Sequence, residues 1–462
     1  MTLRLAALLG SFALSQAAAV GSAQAAADYQ PTWESLGAHR AAPWFAQAKL
    51  GVFVQWGVYS VPAWSEPGAE AAWYWRWVET GAHGGRERRF HERSFGAEVR
   101  YEELATRFRA ELFDPVEWSG ILSRSGARYV VLTAKHRDGF ALWPSEHASH
   151  ARGHAWSAMD AGPRRDLVGE LTDAVRAAGL RMGLAYSTEE WNNPVLDRSP
   201  GEYVESVLFP QVRDLVRSYS PDVLWIDGDW DEPEAVRRTP ELLASIYNHA
   251  ARPAELVVSD RFGAGLRGSV GDFSSVEGEP AEVAPAESRP WELRRSLGGS
   301  LALNRAEGYG SYLSRTECVR LLIDVASRGG NLLLGVGARA DGRIPLLAQD
   351  RLRALGRWLE VNGEAIYGTA GSPLASTPWG AATTQGARLF LHIFDWPAEG
   401  RLELPELANR VRGARILSDA RRRPLPVEPL PAGGVAIDLA GQRPFEHATV
   451  IALELDGAPR TR

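Results

Sequence analysis

The sequence has a single cysteine, Cys318, among its 462 residues. One cysteine cannot form an internal disulfide, so the packing of a hydrophobic core must stabilise the fold. There is also no excess of positive charge, because the formal net charge is −6 at pH 7. This argues against nucleic acid or an anionic surface as a partner. The chain is long enough to bury a large core and exceeds the usual size of one domain.

Long hydrophobic runs are absent except at the N terminus. Residues 1–25 contain one basic residue, Arg4, then an apolar run, then small residues. This order is typical of a secretory signal peptide, and we expect cleavage after Ala25 and export to the periplasm or the extracellular space. An uncleaved membrane anchor is the alternative, but polar residues such as Gln16 interrupt a run that is short for a membrane span. No later stretch predicts a membrane span.

From about residue 45 to residue 368, short apolar runs alternate with helical patterns. The predicted strands are 50–54, 127–133, 181–186, 223–226, 255–259 and 331–336, with a further candidate strand at 271–273 that leads to Glu277. The predicted helices are 116–125, 165–178, 203–218, 240–250, 316–327 and 348–361. This alternation predicts an α/β fold, a TIM-like (β/α) barrel over residues 26–368. An open doubly wound sheet is the alternative, but no glycine-rich nucleotide loop follows the first strand.

The C-terminal part, residues 369–462, has a different pattern. Short alternating runs at 387–394, 401–404 and 448–455 are separated by turns rich in Pro and Gly. They predict a small antiparallel β-sandwich domain. This part of the sequence shows no cluster of ligand-binding side chains, so we interpret it as a cover for the barrel rather than as a binding module.

A carboxylate, Asp227, ends the apolar run 223–226 and is followed by Gly228. An isolated charge cannot stay in a core unpaired, so Asp227 must face a cleft. In a parallel barrel the carboxyl ends of the strands form the face on which active sites are built. The alternative is an Asp that caps the N terminus of the following helix.

Polar and aromatic residues follow the other predicted strands as well. Each has an ordinary explanation when taken alone: a histidine satisfied in the core, an arginine in a salt bridge, or a solvated acid in a loop. Their common position at one end of a barrel favours a shared site. The residues are Gln55, Trp56, Trp73, His136, Arg137, Tyr186, Arg261 and Glu277.

Four segments, 44–64, 129–143, 224–230 and 329–337, resemble the α-L-fucosidases of glycoside hydrolase family 29. The resemblance extends from about residue 30 to about residue 370 and implies an irregular (β/α) barrel followed by a β-sandwich. It implies that Asp227 is the nucleophile and that Glu277, whose position varies more within the family, is the acid/base. A retaining glycosidase needs such a pair, with the two carboxyl groups roughly 5 Å apart.

The same resemblance implies a glycan substrate and no metal or cofactor. It also implies a set of substrate-binding residues around the sugar ring. These are Gln55, Trp56, Trp73, His136, Arg137, Tyr186, Trp225, Arg261 and Leu301.

This chain departs from the family pattern at four positions. Gln55 and Arg137 replace histidines, Ala72 replaces a glutamate, and Leu301 replaces a phenylalanine that lines the methyl group of the sugar. A site that hydrogen-bonds particular hydroxyls discriminates strongly between sugars. We therefore expect an exported retaining α-L-fucosidase or a relative acting on another L-sugar, such as L-galactose or L-glucose.

Two further hypotheses remain open. One is a family member that binds glycans without cleaving them, although retention of both Asp227 and Glu277 argues against it. The other, more remote, is an adhesion protein that binds carbohydrate surfaces through its C-terminal sandwich.

Overall fold

The structure, a computed structural model, describes residues 28–229, 232–263, 265–278, 289–374 and 377–462. The predicted signal peptide, residues 1–25, lies outside the described residues.

Eight parallel strands form the first and largest sheet. They are β1 (Leu50–Gln55), β2 (Tyr129–Lys135), β3 (Arg181–Ser187), β4 (Val223–Asp227), β5 (Val257–Val258), β6 (Ser274–Glu277), β7 (Trp291–Ser296) and β8 (Asn331–Gly337). Their order is β5-β4-β3-β2-β1-β8-β7-β6, so consecutive strands are neighbours and β1 pairs with β8. Among the described residues, one isolated bridge, between Ser259 and Phe273, links the two ends of this order. The predicted TIM-like barrel is therefore confirmed, with an irregular seam between β5 and β6.

Helices follow most of the strands. They are α1 (Trp33–Leu36), α2 (Pro43–Ala48), α3 (Tyr74–Thr80), α4 (Ala82–Ser94), α5 (Tyr101–Leu104), α6 (Pro115–Arg124), α7 (Glu146–Arg152), α8 (Leu167–Ala177), α9 (Pro194–Arg198), α10 (Pro200–Tyr203), α11 (Phe209–Tyr219), α12 (Glu234–Arg237), α13 (Thr239–His249), α14 (Arg315–Ser327) and α15 (Leu346–Asn362). Side chains define several of their starts. Asp114 and Asp166 accept backbone N–H groups at the N-caps of α6 and α8, and Ser314 forms a capping box with Glu317 at α14.

The structure divides one predicted helix and contains one strand that was not predicted. The continuous helix over 203–218 is divided, because a π-helical turn, Val204–Leu208, separates α10 from α11. Pro210 lacks the N–H that would continue the regular hydrogen-bond ladder, which favours such a wide turn. Strand β7 was not predicted, because its Glu292, Arg294 and Arg295 do not read as a buried strand.

Large apolar side chains fill the inside of the barrel. Phe53, Tyr129, Trp225 and Phe273 belong to this interior cluster, and Phe45 of α2 closes its amino-terminal end against Phe273, with the ring centroids 4.5 Å apart. The interior is thus a packed core, as in other barrels of this type. The polar residues gather at the opposite end, where the strands finish.

The C-terminal part forms two antiparallel sheets. The five-stranded sheet has the order β13-β16-β11-β10-β9 and the three-stranded sheet the order β12-β15-β14. The strands are β9 (Ala370–Gly371), β10 (Gly380–Gln385), β11 (Arg388–Ile393), β12 (Arg401–Leu404), β13 (Val411–Ile416), β14 (Val427–Pro429), β15 (Val435–Asp438) and β16 (Thr449–Leu455). The predicted antiparallel C-terminal domain is therefore confirmed.

The larger of these sheets packs on the helices of the barrel. Phe390 and Val450 share one buried cluster with the barrel helices. Trp358 Nε1 donates to the Ala448 carbonyl over 2.9 Å, and Arg320 Nη2 donates to the Phe394 carbonyl over 2.8 Å. These contacts support the interpretation of the domain as a cover. None of the helices in the described part of the chain is long and apolar enough to cross a membrane.

Candidate active site

A cavity of about 280 Å³ opens at the carboxyl ends of the barrel strands. Most of the residues predicted from the sequence line it. They are Gln55, Trp73, His136, Arg137, Tyr186, Asp227, Arg261, Glu277 and Leu301. Residues from seven strands or their loops therefore meet at the face where barrel enzymes place their active sites.

Asp227 is the last residue of β4, and its side chain is 17% exposed, in the cavity. Gly228 follows, where a Cβ atom would lie 2.0 Å from Thr188 Oγ1, so the close approach of these two loops requires glycine. The next helix, α12, begins at Glu234 and has Pro233 as its N-cap. The alternative interpretation of Asp227 as a helix cap is therefore wrong.

Positive charges surround the Asp227 carboxylate. Arg261 Nε lies 3.8 Å from Asp227 Oδ1. Burial alone would raise the pKa of Asp227, but the guanidinium groups of Arg261, Arg294 and Arg137 together lower it to about 2. Asp227 is therefore ionised at neutral pH, the state that a nucleophile requires.

Glu277, at the end of β6, shares Arg261 with Asp227. Arg261 Nη1 lies 2.9 Å from Glu277 Oε1, and Arg294 Nη2 donates a hydrogen bond to the same oxygen. Arg261 also reaches Asp229 Oδ2 through Nη2, over 2.9 Å. The guanidinium of Arg261 thus ties the ends of β4 and β6 together, beside the cavity.

Trp225 does not line the cavity, contrary to its predicted contact with substrate. Its side chain points into the barrel one layer below Asp227 and is fully buried. The guanidinium carbon of Arg294 lies 4.2 Å and that of Arg261 5.1 Å from the centroid of its ring. Trp225 therefore supports the two arginines through cation–π contacts rather than meeting the sugar itself.

Trp56 also lies outside the cavity. Successive side chains of a strand point to opposite faces, so Gln55 faces the cavity while Trp56 turns outward to the helices. Its ring packs 4.9 Å from Trp118 and 5.1 Å from Phe113, centroid to centroid, and its Nε1 donates to the Arg339 carbonyl over 2.8 Å. Its predicted contact with substrate is not met in this structure.

The loop after β2 carries His136 and Arg137. Burial lowers the pKa of His136 to about 3, so its imidazole is neutral. Its Nδ1 has no hydrogen-bond partner among the described residues, which leaves it available to a ligand. Arg137 forms an ion pair with Glu189, and its guanidinium carbon lies 5.4 Å from the centroid of the Trp73 ring. The neutral imidazole of His136 and the cationic guanidinium of Arg137 thus lie next to each other in the cavity lining.

Hydrogen bonds to neighbouring side chains fix Gln55 and Tyr186. Thr133 Oγ1 donates to Gln55 Oε1 over 2.7 Å, so the amide nitrogen of Gln55 is left to donate into the cavity. Tyr186 donates its hydroxyl to Gln211 Oε1 over 2.8 Å, and Lys135 Nζ donates to the same hydroxyl over 3.0 Å. A donor fixed in this way, the amide nitrogen of Gln55, can discriminate between sugar hydroxyls.

A glutamate that the sequence analysis missed lines the same cavity. Glu70 accepts hydrogen bonds from the backbone nitrogens of Leu301, over 2.8 Å, and Ala302, over 3.1 Å, and from Ser300 Oγ over 2.8 Å. It joins the loop after β1 to the loop after β7 and holds Leu301 in the wall. The loss of the family glutamate at Ala72 therefore does not remove every carboxylate from this side of the cavity.

A buried ionic network lies behind the loop after β2. Lys135 Nζ is 2.7 Å from Glu190 Oε1, and Arg152 Nη2 is 3.0 Å from Glu190 Oε2, with all three side chains almost wholly buried. Burial alone would raise the pKa of Glu190, but Lys135 and Arg152 lower it to about 2. The φ angle of Gly139 is +77°, and a Cβ atom there would lie 2.4 Å from Glu190 Oε2, so glycine is required where this loop turns.

We expect Glu190→Gln to lower the free energy of unfolding by about 3–5 kcal/mol, because it leaves Lys135 and Arg152 as buried cations without their anion. Urea unfolding followed by far-ultraviolet circular dichroism measures the change. Glu202→Gln is the matched control, since its pair with Arg198 is well exposed and should contribute little. Equal effects of the two substitutions would contradict the prediction.

Glu292 of β7, which would be the next candidate for the acid/base if Glu277 did not have that role, is sealed inside the barrel. It is fully buried, and its carboxyl accepts hydrogen bonds from Trp225 Nε1, over 3.0 Å, and from the Tyr129 hydroxyl. Burial raises the pKa of Glu292 to about 7. Because it does not line the cavity, it cannot protonate a leaving group there.

Glu70, Lys135 and Arg294 are the charged cavity residues that sequence reasoning missed, together with the buried Phe53, Thr133, Ala185 and Ser187. Arg294 was hidden because β7 was not recognised. Charged residues at alternate positions, here Glu292 and Arg294, share one face of a strand, and this spacing could have indicated β7 in the sequence. In the described part of the chain, no three His, Cys, Asp or Glu side chains are grouped to hold a metal ion.

Comparison with known proteins agrees with this geometry. The sequence model described as Alpha-L-fucosidase matches residues 16–364. The chain is 35% identical to an alpha-L-fucosidase of Dictyostelium discoideum over 84% of this chain and 86% of that protein. It is also 35% identical to the tissue alpha-L-fucosidase of Homo sapiens over 85% of this chain and 84% of that protein.

Solved structures show the same relationship. The crystal structure of Thermotoga maritima alpha-fucosidase in complex with fucose superposes with a TM-score of 0.78 at 34% identity, covering 92% of this chain and all of the other. The complex of that enzyme with a mechanism-based inhibitor gives a TM-score of 0.79 at 33% identity, with the same coverage. The chain belongs to the alpha-L-fucosidase family and is a glycoside hydrolase.

Proposed function

We propose that the protein is an exported exo-glycosidase that hydrolyses α-L-fucosides or closely related α-L-glycosides with retention of configuration. One observation carries the proposal: an ionised carboxylate, Asp227, and a second carboxylate, Glu277, line the same cavity, and both form ion pairs with Arg261. Two carboxylates at one cavity are what a double displacement needs. The relatives named alpha-L-fucosidase support the choice of sugar.

In the first step, Asp227 would attack the anomeric carbon and form a glycosyl-enzyme, while Glu277 donates its proton to the leaving oxygen as the glycosidic bond breaks. In the second step, Glu277 would take a proton from water, and the resulting hydroxide would attack the anomeric carbon and release Asp227. The ion pairs with Arg261 and Arg294 suit Glu277 as the base of the second step. In the first step Glu277 must carry a proton, so its ion pairs with Arg261 and Arg294 must loosen when substrate binds.

Changed sugar specificity is the second candidate, and particular residues favour it. Arg137 can only donate hydrogen bonds, and Gln55 presents its amide nitrogen to the cavity. Leu301 is not flat like the phenylalanine that it replaces. These differences would weaken recognition of an axial 4-hydroxyl and leave room for a substituent on C6. Glu70 supplies a carboxylate on the same side and offers a replacement contact.

We therefore expect low efficiency on L-fucosides and higher efficiency on an L-sugar that has a C6 hydroxyl or a different configuration at C4. The measurement is kcat/KM for aryl α-glycosides of L-fucose, L-galactose, L-glucose and their D counterparts. Ordinary glycosidase efficiency on the L-fucoside, with no better substrate in the panel, would leave an unmodified fucosidase. No hydrolysis of any substrate, with glycan binding retained, would favour the non-hydrolysing alternative.

Export is proposed from residues 1–25 alone, which resemble a signal peptide. N-terminal sequencing of the protein recovered from the periplasm or the medium would test it. We expect the mature chain to begin at Ala26. A full-length chain retained in the cytoplasm would contradict export without affecting the proposed chemistry.

A further inference from the structure

Three side chains connect the inside of the barrel to Glu277. Glu292 accepts a hydrogen bond from Trp225 Nε1, the face of Trp225 carries the guanidinium of Arg294, and Arg294 donates to Glu277. Each contact is direct, and the first two side chains are fully buried. A displacement of Glu292 or of the indole would therefore be transmitted to Glu277 through these direct contacts.

Arg294 depends on this support more than Arg261 does. Arg261 has a second carboxylate in direct contact, Asp229. Among the described residues, Arg294 has direct contacts with Glu277 and with the rings of Trp225 and Phe53, and it acts on Asp227 through its charge. The guanidinium carbon of Arg294 lies 5.2 Å from the centroid of Phe53, and the Phe53 and Trp225 rings meet edge to face with their centroids 6.0 Å apart. The orientation of Trp225 thus fixes much of the surface on which Arg294 rests.

The indole nitrogen is the only polar atom of the Trp225 side chain, and Glu292 Oε1 is its acceptor. A buried N–H without an acceptor is costly, so the hydrogen bond selects one orientation of the ring. Glu292 has no cationic partner among its recorded contacts with described residues; Tyr129 and Trp225 are its two donors. A buried carboxyl with no ion pair is expensive, which suggests that it serves more than packing.

We propose that Glu292 is a positioning residue for the acid/base: through Trp225 it fixes Arg294, and through Arg294 it fixes the carboxylate of Glu277. The proposal rests on the proposed function, since it assigns Glu277 to proton transfer. It differs from direct catalysis by Glu292, because Glu292 never meets the substrate.

The test compares Glu292→Leu with Glu292→Gln on two glycosides of one sugar, with a good and a poor leaving group. Glu292→Leu removes the acceptor and should lower kcat/KM, which reports the first step, by roughly 10–100-fold on the poor leaving group, since small misplacements of catalytic groups are costly. On the good leaving group, which needs little acid assistance in that step, kcat/KM should change little. Glu292→Gln keeps an acceptor for Trp225 and should restore most of the activity.

Tyr129→Phe is the matched control. It removes the other hydrogen bond to the same carboxyl, with similar expected loss of thermal stability, but it leaves the bond to Trp225 in place. Its activity should therefore show no dependence on the leaving group beyond that of the unmodified enzyme. If Glu292→Leu does not fold, Trp225→Phe serves instead, because it removes the indole N–H and part of the face beneath Arg294.

Equal losses of kcat/KM on both substrates, or a loss of stability with kcat/KM unchanged, would overturn the proposal. The corresponding comparison for Glu277→Gln separates the two levels of the argument. If Glu277→Gln is insensitive to the leaving group, the assignment of Glu277 fails. If Glu277→Gln is sensitive but neither Glu292→Leu nor Trp225→Phe is, only the positioning role of Glu292 fails.

Discussion

Asp227→Ala and Asp227→Gly are expected to abolish turnover, lowering kcat by on the order of 10⁴-fold or more, as removal of a nucleophile does in other hydrolases. The side chain lies on the cavity side of its strand, 17% exposed, so neither substitution opens a void in the barrel core. Initial rates on an aryl glycoside and a thermal unfolding curve are the two measurements. Loss of activity should occur with the fold retained.

Azide should partly restore the activity of both variants. Removing Asp227 leaves Arg261, Arg294 and Arg137 without one of their anions, so a small anion should enter the vacated space. There it can attack the anomeric carbon in place of the carboxylate and yield a glycosyl azide, which chromatography can identify.

Asp229→Asn is the matched control for Asp227. Asp229 lies two residues further along, pairs with Arg261 and Arg267, and is not part of the cavity lining. Its substitution should lower activity modestly, by loosening Arg261, and azide should give no rescue. Substantial activity of Asp227→Gly without azide would show that the nucleophile lies elsewhere.

Periodicity and motif order were sufficient to predict the barrel, because its strands are apolar runs separated by amphipathic helices. They failed at β7, where Glu292 and Arg294 point inward and break the apolar pattern. Functional sites commonly violate the rules that identify regular elements. Glu292 and Arg294, which break the apolar pattern, are also the residues that connect Trp225 and Glu277. The position at which the pattern fails is therefore part of the site.

The sequence was sufficient to predict at which strand ends the site lies, but not which side chains face the cavity. Trp56 and Trp225 neighbour predicted site residues in the sequence, yet one turns outward to the helices and the other lies a layer below the cavity. Glu70 could not be found by matching motifs, because it stands two residues before the position of the family glutamate. Only the fold shows that its carboxylate reaches the loop at Leu301.

Glu277→Gln is expected to affect substrates according to their leaving groups. Loss of a general acid matters most when the leaving oxygen is strongly basic, so cleavage of natural glycosides should fall by about 10²–10⁴-fold. An acidic phenol can leave as the phenolate without being protonated, so aryl glycosides of acidic phenols should retain much of their first-step rate. A series of phenols of increasing acidity, analysed as log kcat/KM against the pKa of the phenol, should give a steeper slope for the variant than for the unmodified enzyme.

Glu70→Gln provides the comparison within the same cavity. Glu70 lines the cavity and is held by the backbone of the loop at Leu301. We expect any contact that it makes with substrate to be to the sugar rather than to the leaving group. Its substitution should therefore lower the rates of all phenols by a common factor. If instead Glu277→Gln gives the uniform loss and Glu70→Gln the steeper slope, proton transfer belongs to Glu70. Glu292, sealed beneath Trp225, could not take that role, because no leaving group can reach its carboxyl.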